Sequence, residues 1–293
     1  MMVSQTTITL NQPAEAVRAD FQEKGYHLVK GALSRGRILE IREFLLEEFN
    51  RKFPGEDLNE ANVIFNYTGL YPQLIDVIAN ERIVAALKII LGEDYVLMPP
   101  ASCIRNSFWD LHTDVTTMAS QGFPIGERPD FTGVAIGTYL QDSSEQGGGM
   151  FVVPGTHKLK KDPLVRQKQL LKGIGVPFLP RMLRKLSGNR FPRYEDFSAF
   201  ERGGIDLQHE MGDTLILDMR LLHRGSKPQP GVARTDTKLG IFNLAAARGD
   251  GKLITYWLDY LYSPNYHASD VLQEGRNAAP LKKAAKEAGF TAL

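Results

Sequence analysis

Cysteine is nearly absent: Cys103 stands alone among 293 residues. No intrachain disulfide can form, so the fold does not need an oxidising compartment, and a thiolate-rich zinc site is excluded. Long apolar runs are missing too. No segment approaches the roughly 20 consecutive apolar residues that span a bilayer. The N-terminal MMVSQTTITLNQPAEAVRAD lacks a basic stretch followed by an apolar one, so it does not read as a secretory signal. The cytoplasm is the expected location. An excess of one charge is missing as well: 35 basic and 34 acidic residues leave +1, which gives no argument for nucleic acid.

The charge is nevertheless uneven. Residues 158–194 carry eleven basic side chains, among them Arg181, Arg184, Lys185, Arg190 and Arg193, against the single acid Asp162. A local charge of +10 suits an anionic or carrier-linked substrate. A solvated loop is the plainer reading, and the mixed GVPFLPRMLRKL, with its short helical run, has only some character of a membrane-surface segment.

The hydrophobic pattern changes character along the chain. AEAVRADFQEK (14–24) reads as a helix stopped by Gly25, and YHLVKGAL follows as a strand. Ser34 is a candidate N-cap for a helix with Ile38, Ile41, Leu45 and Phe49 on one face. Two further helices are expected in TGLYPQLIDVIANERIVAALKIILG, parted near Asn80–Glu81, with Phe65, Tyr67 and Tyr71 in a loop between helices. After Gly92 the runs become short, β-branched and punctuated by turns: DYVLMPPASCIRN, FTGVAIGTYLQD, GMFVVPGTH, DTLILDM and TKLGIFNLAA. ITYWLDYLY is open between strand and helix, and PLKKAAKEAGF is a short polar helix or tail.

Helices followed by strands argue against alternating βαβ units and for a mainly β core with flanking helices, a double-stranded barrel or jelly roll. One domain is expected, with a helical part over about 14–91 and a β core over about 93–247. Residues 158–207 fit no strand pattern and read as an inserted lid.

Six histidines are present, and two have suggestive surroundings. LHTDV sets His112 and Asp114 two apart, so on a strand both point to one face. His223 follows the strand-like DTLILDM and precedes a turn. Two imidazoles and one carboxylate occupy one face of an octahedron and leave the rest open, as iron(II) oxygenases require. The same set can bind zinc, and a strand-end histidine bonded to an aspartate is a plainer reading of H-x-D. Arg234, eleven residues after His223, adds a cation suited to a distal carboxylate. Lys238 competes for that task, because residues 234, 236 and 238 share a strand face.

Taken in order, FQEKGYHLVKGALSRGRI, LHTD, YLQDSSEQGGGMFVVPGTH and GDTLILDMRLLH resemble the phytanoyl-CoA dioxygenase family of iron(II)/2-oxoglutarate oxygenases. The resemblance implies a double-stranded β-helix of cupin type. It implies that His112, Asp114 and His223 are catalytic iron(II) ligands, that Arg234 holds the far carboxylate of 2-oxoglutarate, and that O₂ is consumed. The retained Asp114 argues against halogenation, whose enzymes replace the carboxylate by a small residue. Tyr139 and Thr214 are further candidate cosubstrate contacts from their strand positions, and Trp109, Arg181 and Arg184 are candidate substrate contacts. Phe108 and Phe123 read as core or pocket aromatics, His157 and His209 as structural or surface groups, and Cys103 as a small buried hydrophobe. The expected reaction is hydroxylation of a small organic molecule, with secondary metabolism as its setting. A catalytically silent cupin-like binding protein and a zinc hydrolase on a similar barrel are the alternatives.

Overall fold

The computed structural model describes residues 12–55, 61–106, 111–116, 125–144, 149–159, 202–225, 238–261 and 279–293. The chain begins with α1 (Ala14–Lys24), β1 (Tyr26–Val29) and α2 (Arg35–Lys52). Gly25 ends α1 in the left-handed conformation at φ 84°, as a C-terminal glycine does. Its missing Cβ also makes room for His157, whose Nδ1 would otherwise lie 2.4 Å away. His157 is therefore a packed histidine; its Nε2 donates to the Gln22 carbonyl at 3.2 Å, and burial lowers its pKa. Ser34 caps α2 by accepting from the Arg37 amide. Ile38, Ile41, Leu45 and Phe49 are fully buried along one face. Each such side chain contributes about 1.5–3 kcal/mol of transfer free energy.

The next segment, expected as a loop and two helices, instead opens with a strand, β2 (Asn62–Phe65). It continues through short helices α3 (Tyr67–Leu70) and α4 (Asp76–Ala79) to α5 (Glu81–Leu91). Asn80 caps α5 through its side chain at the anticipated break. Strands β3 (Val96–Arg105), β4 (Val134–Tyr139), β5 (Met150–Val152), β6 (Ile205–Leu207), β7 (Thr214–Asp218), β8 (His223–Gly225) and β9 (Leu239–Ala246) come next, then α6 (Gly251–Leu261), α7 (Ala279–Ala288) and β10 (Thr291–Ala292).

Two sheets face each other. The larger has the order β1-β7-β4-β9-β3-β10 with β2 also on β3, and the smaller is β6-β5-β8. All pairings are antiparallel except that of β10 with β3. This is the double-stranded β-helix, mainly β with flanking helices, that the patterning predicts. The larger sheet buries both faces. Val134, Ile136, Ile216, Leu239, Ile241 and Ala245 pack into one cluster with α2 and α5. The alternate residues, including Tyr139, Leu215 and Leu217, face the smaller sheet.

Several expectations are corrected. Residues 158–207 were expected without strands, yet Ile205–Leu207 pairs with β5; residues 160–201 lie outside the described residues. The β structure reaches past 247, because Thr291 and Ala292 extend the large sheet. The two segments left open take the helical option: ITYWLDYLY lies in α6, and PLKKAAKEAGF lies mostly in α7, with Leu281 and Ala285 buried. Among the described residues no helix is long and apolar enough to cross a membrane.

Candidate metal centre

The site forms where the smaller sheet closes. His223 is the first residue of β8 and pairs with Val152 of β5. It also exchanges two backbone hydrogen bonds with His112, each 2.9 Å, so the histidines sit directly opposite each other. Their rings lie 4.3 Å apart. Asp114 comes in by a turn and not, as the H-x-D spacing suggested, along a strand. Thr116 N donates to Thr113 O at 3.1 Å, the two threonine hydroxyls meet at 2.6 Å, and Val115 N reaches Met219 O at 3.3 Å. The adjacency in sequence was informative; the strand geometry assumed for it was not the one used.

Asp114 Oδ1 lies 3.8 Å from His112 Nε2 and 3.8 Å from His223 Nε2. These gaps exceed hydrogen-bond reach. All three donor atoms nevertheless lie within 4.8 Å of one another. The His223 Nδ1–H donates to the Leu221 carbonyl at 2.9 Å, and because a carbonyl only accepts, Nε2 carries the lone pair that faces its neighbours. Asp114 Oδ2 is buried with no hydrogen-bond partner, a costly state for a carboxylate oxygen unless a cation meets it. Two nitrogen donors, one oxygen donor and that orphaned oxygen fit a divalent transition metal.

The three side chains open onto a cavity of about 380 Å³ between the sheets. Its walls are largely apolar, with Phe65, Ile104, Leu217, Phe242, Leu244 and Trp257. Gly137 and Gly240 make room for the Phe242 ring, since a Cβ at either would lie within 2.9 Å of it. Tyr139 lines the cavity, and its buried hydroxyl has no hydrogen-bond partner. Burial pushes that phenol pKa up, so it remains a donor. Lys238 lines the cavity too.

Thr214 is placed elsewhere. It is fully buried on the helix-facing side of β7, where its hydroxyl meets that of Thr138 at 2.8 Å. Cosubstrate contact through Thr214 is therefore not the geometry found. Tyr67 and Tyr71 pack in the helical layer, while Phe65, expected in a loop, reaches the cavity from β2. His209 is buried and stacks on the Tyr139 ring, with centroids 4.0 Å apart. Cys103 is buried in the core. Arg234, Trp109, Arg181, Arg184, Phe108 and Phe123 lie outside the described residues. Phe242 and Trp257 were missed; the glycines at 137 and 240, two residues from aromatic positions, were the available signal for the first.

Solved structures with the same architecture include HygX from Streptomyces hygroscopicus with nickel and 2-oxoglutarate bound (TM-score 0.54, 17% identity, covering 78% of this chain and 85% of that one). Others are the non-heme alpha ketoglutarate dependent epimerase SnoN (0.51, 16%, 80% and 83%) and the carbocyclase SnoK (0.52, 13%, 83% and 90%), both from nogalamycin biosynthesis. At such identities the likeness is one of fold. No curated protein sequence matches the chain. The model of the phytanoyl-CoA dioxygenase (PhyH) family matches residues 21–229, a span that holds His112, Asp114 and His223. The chain thus belongs to the phytanoyl-CoA dioxygenase family of iron(II)- and 2-oxoglutarate-dependent enzymes.

Proposed function

We propose that this chain hydroxylates an unactivated C–H bond of a small organic substrate, with iron(II) held by His112, Asp114 and His223. The observation that carries this reading is the convergence of two imidazoles and one carboxylate on a mostly apolar cavity. Bound there, iron(II) and 2-oxoglutarate supply O₂ activation coupled to loss of CO₂, with succinate as coproduct.

The chain's own residues hold, orient and exclude. Asp114 would set one negative charge against a divalent ion, with His112 and His223 as its nitrogen donors. His223 is locked in orientation by Leu221, so its lone pair needs no reorganisation. A metal held there by these three side chains would keep positions open on the cavity side for cosubstrate and O₂. Leu217, Phe242 and Leu244 keep that side apolar, which limits water at a reactive centre. A volume of about 380 Å³ lies near the lower end of small-molecule sites and favours a compact substrate. The basic segment 158–194 favours one that is anionic or carrier-linked.

Incubation with iron(II), 2-oxoglutarate and isotopically labelled O₂ tests the reading. Succinate should carry one labelled oxygen and the hydroxylated product the other. Labelled succinate with an unlabelled product removes hydroxylation and leaves an outcome such as those named for SnoN and SnoK. Absence of succinate contradicts the whole proposal and returns the silent binding protein or the zinc hydrolase.

A further inference from the structure

Thr156 does not line the cavity, yet hydrogen bonds connect its hydroxyl to the His223 ring. It opens a short 3₁₀ turn (Thr156–Lys158) that follows β5 and is entered through Gly155 at φ 80°. The Gly155 amide donates to the Lys24 carbonyl at 3.0 Å, which ties this turn to the end of α1. Thr156 is buried. Its hydroxyl donates to the Val153 carbonyl at 2.8 Å and accepts from the Leu222 amide at 3.0 Å. The Val153 amide in turn donates to the Leu222 carbonyl at 2.9 Å. Leu222 is fully buried, so water cannot stand in for the threonine at its amide.

The Leu222 amide matters because of what lies across its peptide. Leu222 N–H and Leu221 C=O belong to one planar unit and point in opposite directions. That carbonyl is the acceptor for His223 Nδ1–H at 2.9 Å. By holding one edge of the peptide, Thr156 fixes the direction of the other. The carbonyl edge sets two properties of His223: how its ring is turned, and which nitrogen keeps the lone pair. The peptide lies between β7 and β8, in neither strand, so its orientation is not set by a strand of its own. Without the hydroxyl, the Leu222 N–H would be buried and unpaired, a costly state that rotation of the peptide would relieve.

We infer that Thr156 is a positioning residue for His223: its hydroxyl orients the Leu221–Leu222 peptide, whose carbonyl holds the imidazole as the Nδ1–H tautomer with Nε2 turned toward Asp114 and His112. The inference rests on the reading of His223 as a metal ligand. Thr156 acts only through the peptide. Each link of the chain from Val153 to His223 is buried, where hydrogen bonds strengthen one another. A hydroxyl that merely closed its own turn would affect stability and leave the tautomer of His223 where it was.

The test needs no turnover. Nitrogen-15 NMR of the imidazoles in metal-free protein at alkaline pH should show wild-type His223 as the Nδ1–H tautomer. Thr156→Val keeps the shape without the hydroxyl and should move His223 toward a mixture with the Nε2–H tautomer; Thr156→Ser should restore the wild-type signal. Calorimetric titration with zinc(II) follows. Thr156→Val should weaken binding by about 10- to 100-fold, the range for groups that support a metal-bound histidine, and Thr156→Ser should stay within about 3-fold of wild type. Ser34→Ala removes the cap of α2 and should change neither readout, which separates positioning from a general loss of stability. The inference is overturned if wild-type His223 is the Nε2–H tautomer, if Thr156→Val keeps both the wild-type tautomer and zinc affinity, or if Thr156→Ser fails as Thr156→Val does. Should the valine variant not fold, Thr156→Ala replaces it, and the wild-type tautomer still decides. If wild-type protein has the Nδ1–H tautomer but binds no zinc, it is the metal reading that has failed, and the tautomer shift in the variants still judges the hydroxyl.

Discussion

Alanine at His112, Asp114 or His223 should remove succinate formation and bound iron together. The loss should exceed the roughly 10- to 100-fold that follows from removing a group that merely supports a ligand. Each side chain supplies one of three protein donors lying within 4.8 Å, so no remaining pair can define the open octahedral face. Asp114→Ala is the sharpest of the three, because it deletes the site's charge along with the buried, unpartnered Oδ2. Asp114→Asn keeps the shape and should be nearly as damaging, since a neutral amide does not offset the ion's charge. Metal analysis of the purified variants and succinate assays check this directly. The histidines also anchor each other through backbone bonds that alanine retains, so the variants should keep the wild-type melting behaviour.

The second large effect is on stability. Gly212→Ala should cost about 3 kcal/mol or more and lower Tm on the order of 5–10 °C. Gly212 has φ 92°, where an L side chain is strained. An added Cβ would also lie 2.4 Å from the Leu33 carbonyl oxygen, a backbone atom that cannot rotate away. That residue is a junction: Gly212 O accepts from Leu33 N at 3.1 Å, and Gly212 N donates to Tyr139 O at 3.1 Å. Displacing it loosens the link between the helical layer and the strand that carries Tyr139. Gly36 is the contrast. It lies in α2 without positive φ, and a Cβ there meets nothing within 4 Å. Gly36→Ala should therefore stabilise by about 0.5–1 kcal/mol. Chemical denaturation of both variants reads the opposite signs.

What could be read from sequence follows from how local each signal is. The α2 stripe was legible because Ile38, Ile41, Leu45 and Phe49 repeat with the helical period and Ser34 marks the start. Strands β2, β6 and β10 were not, because two to four residues hold too little pattern and their identity lies in pairing with β3 and β5. Thr214 was misplaced for a different reason. Every residue of β7 is buried, so the polar–apolar alternation that would have told the cavity face from the helix face is absent. Tyr139, on the neighbouring strand β4, has its side chain on the cavity face. His112 and Asp114 were found from their spacing, though a bridge and a turn bring them together in place of a strand. Trp257 went unnoticed because the pattern of its segment fits a strand and a helix alike, and only the helix delivers it to the cavity.

The most direct measurement is an anaerobic titration of the purified chain with iron(II), followed by 2-oxoglutarate, watched in the visible range. One iron per chain should bind, and a weak charge-transfer band should appear only when the keto acid is added, because the acid must chelate the metal through the face left open by His112, Asp114 and His223. Zinc in place of iron should give no band. A chain that binds iron without developing the band, or that develops it equally when all three side chains are replaced by alanine, contradicts the assignment.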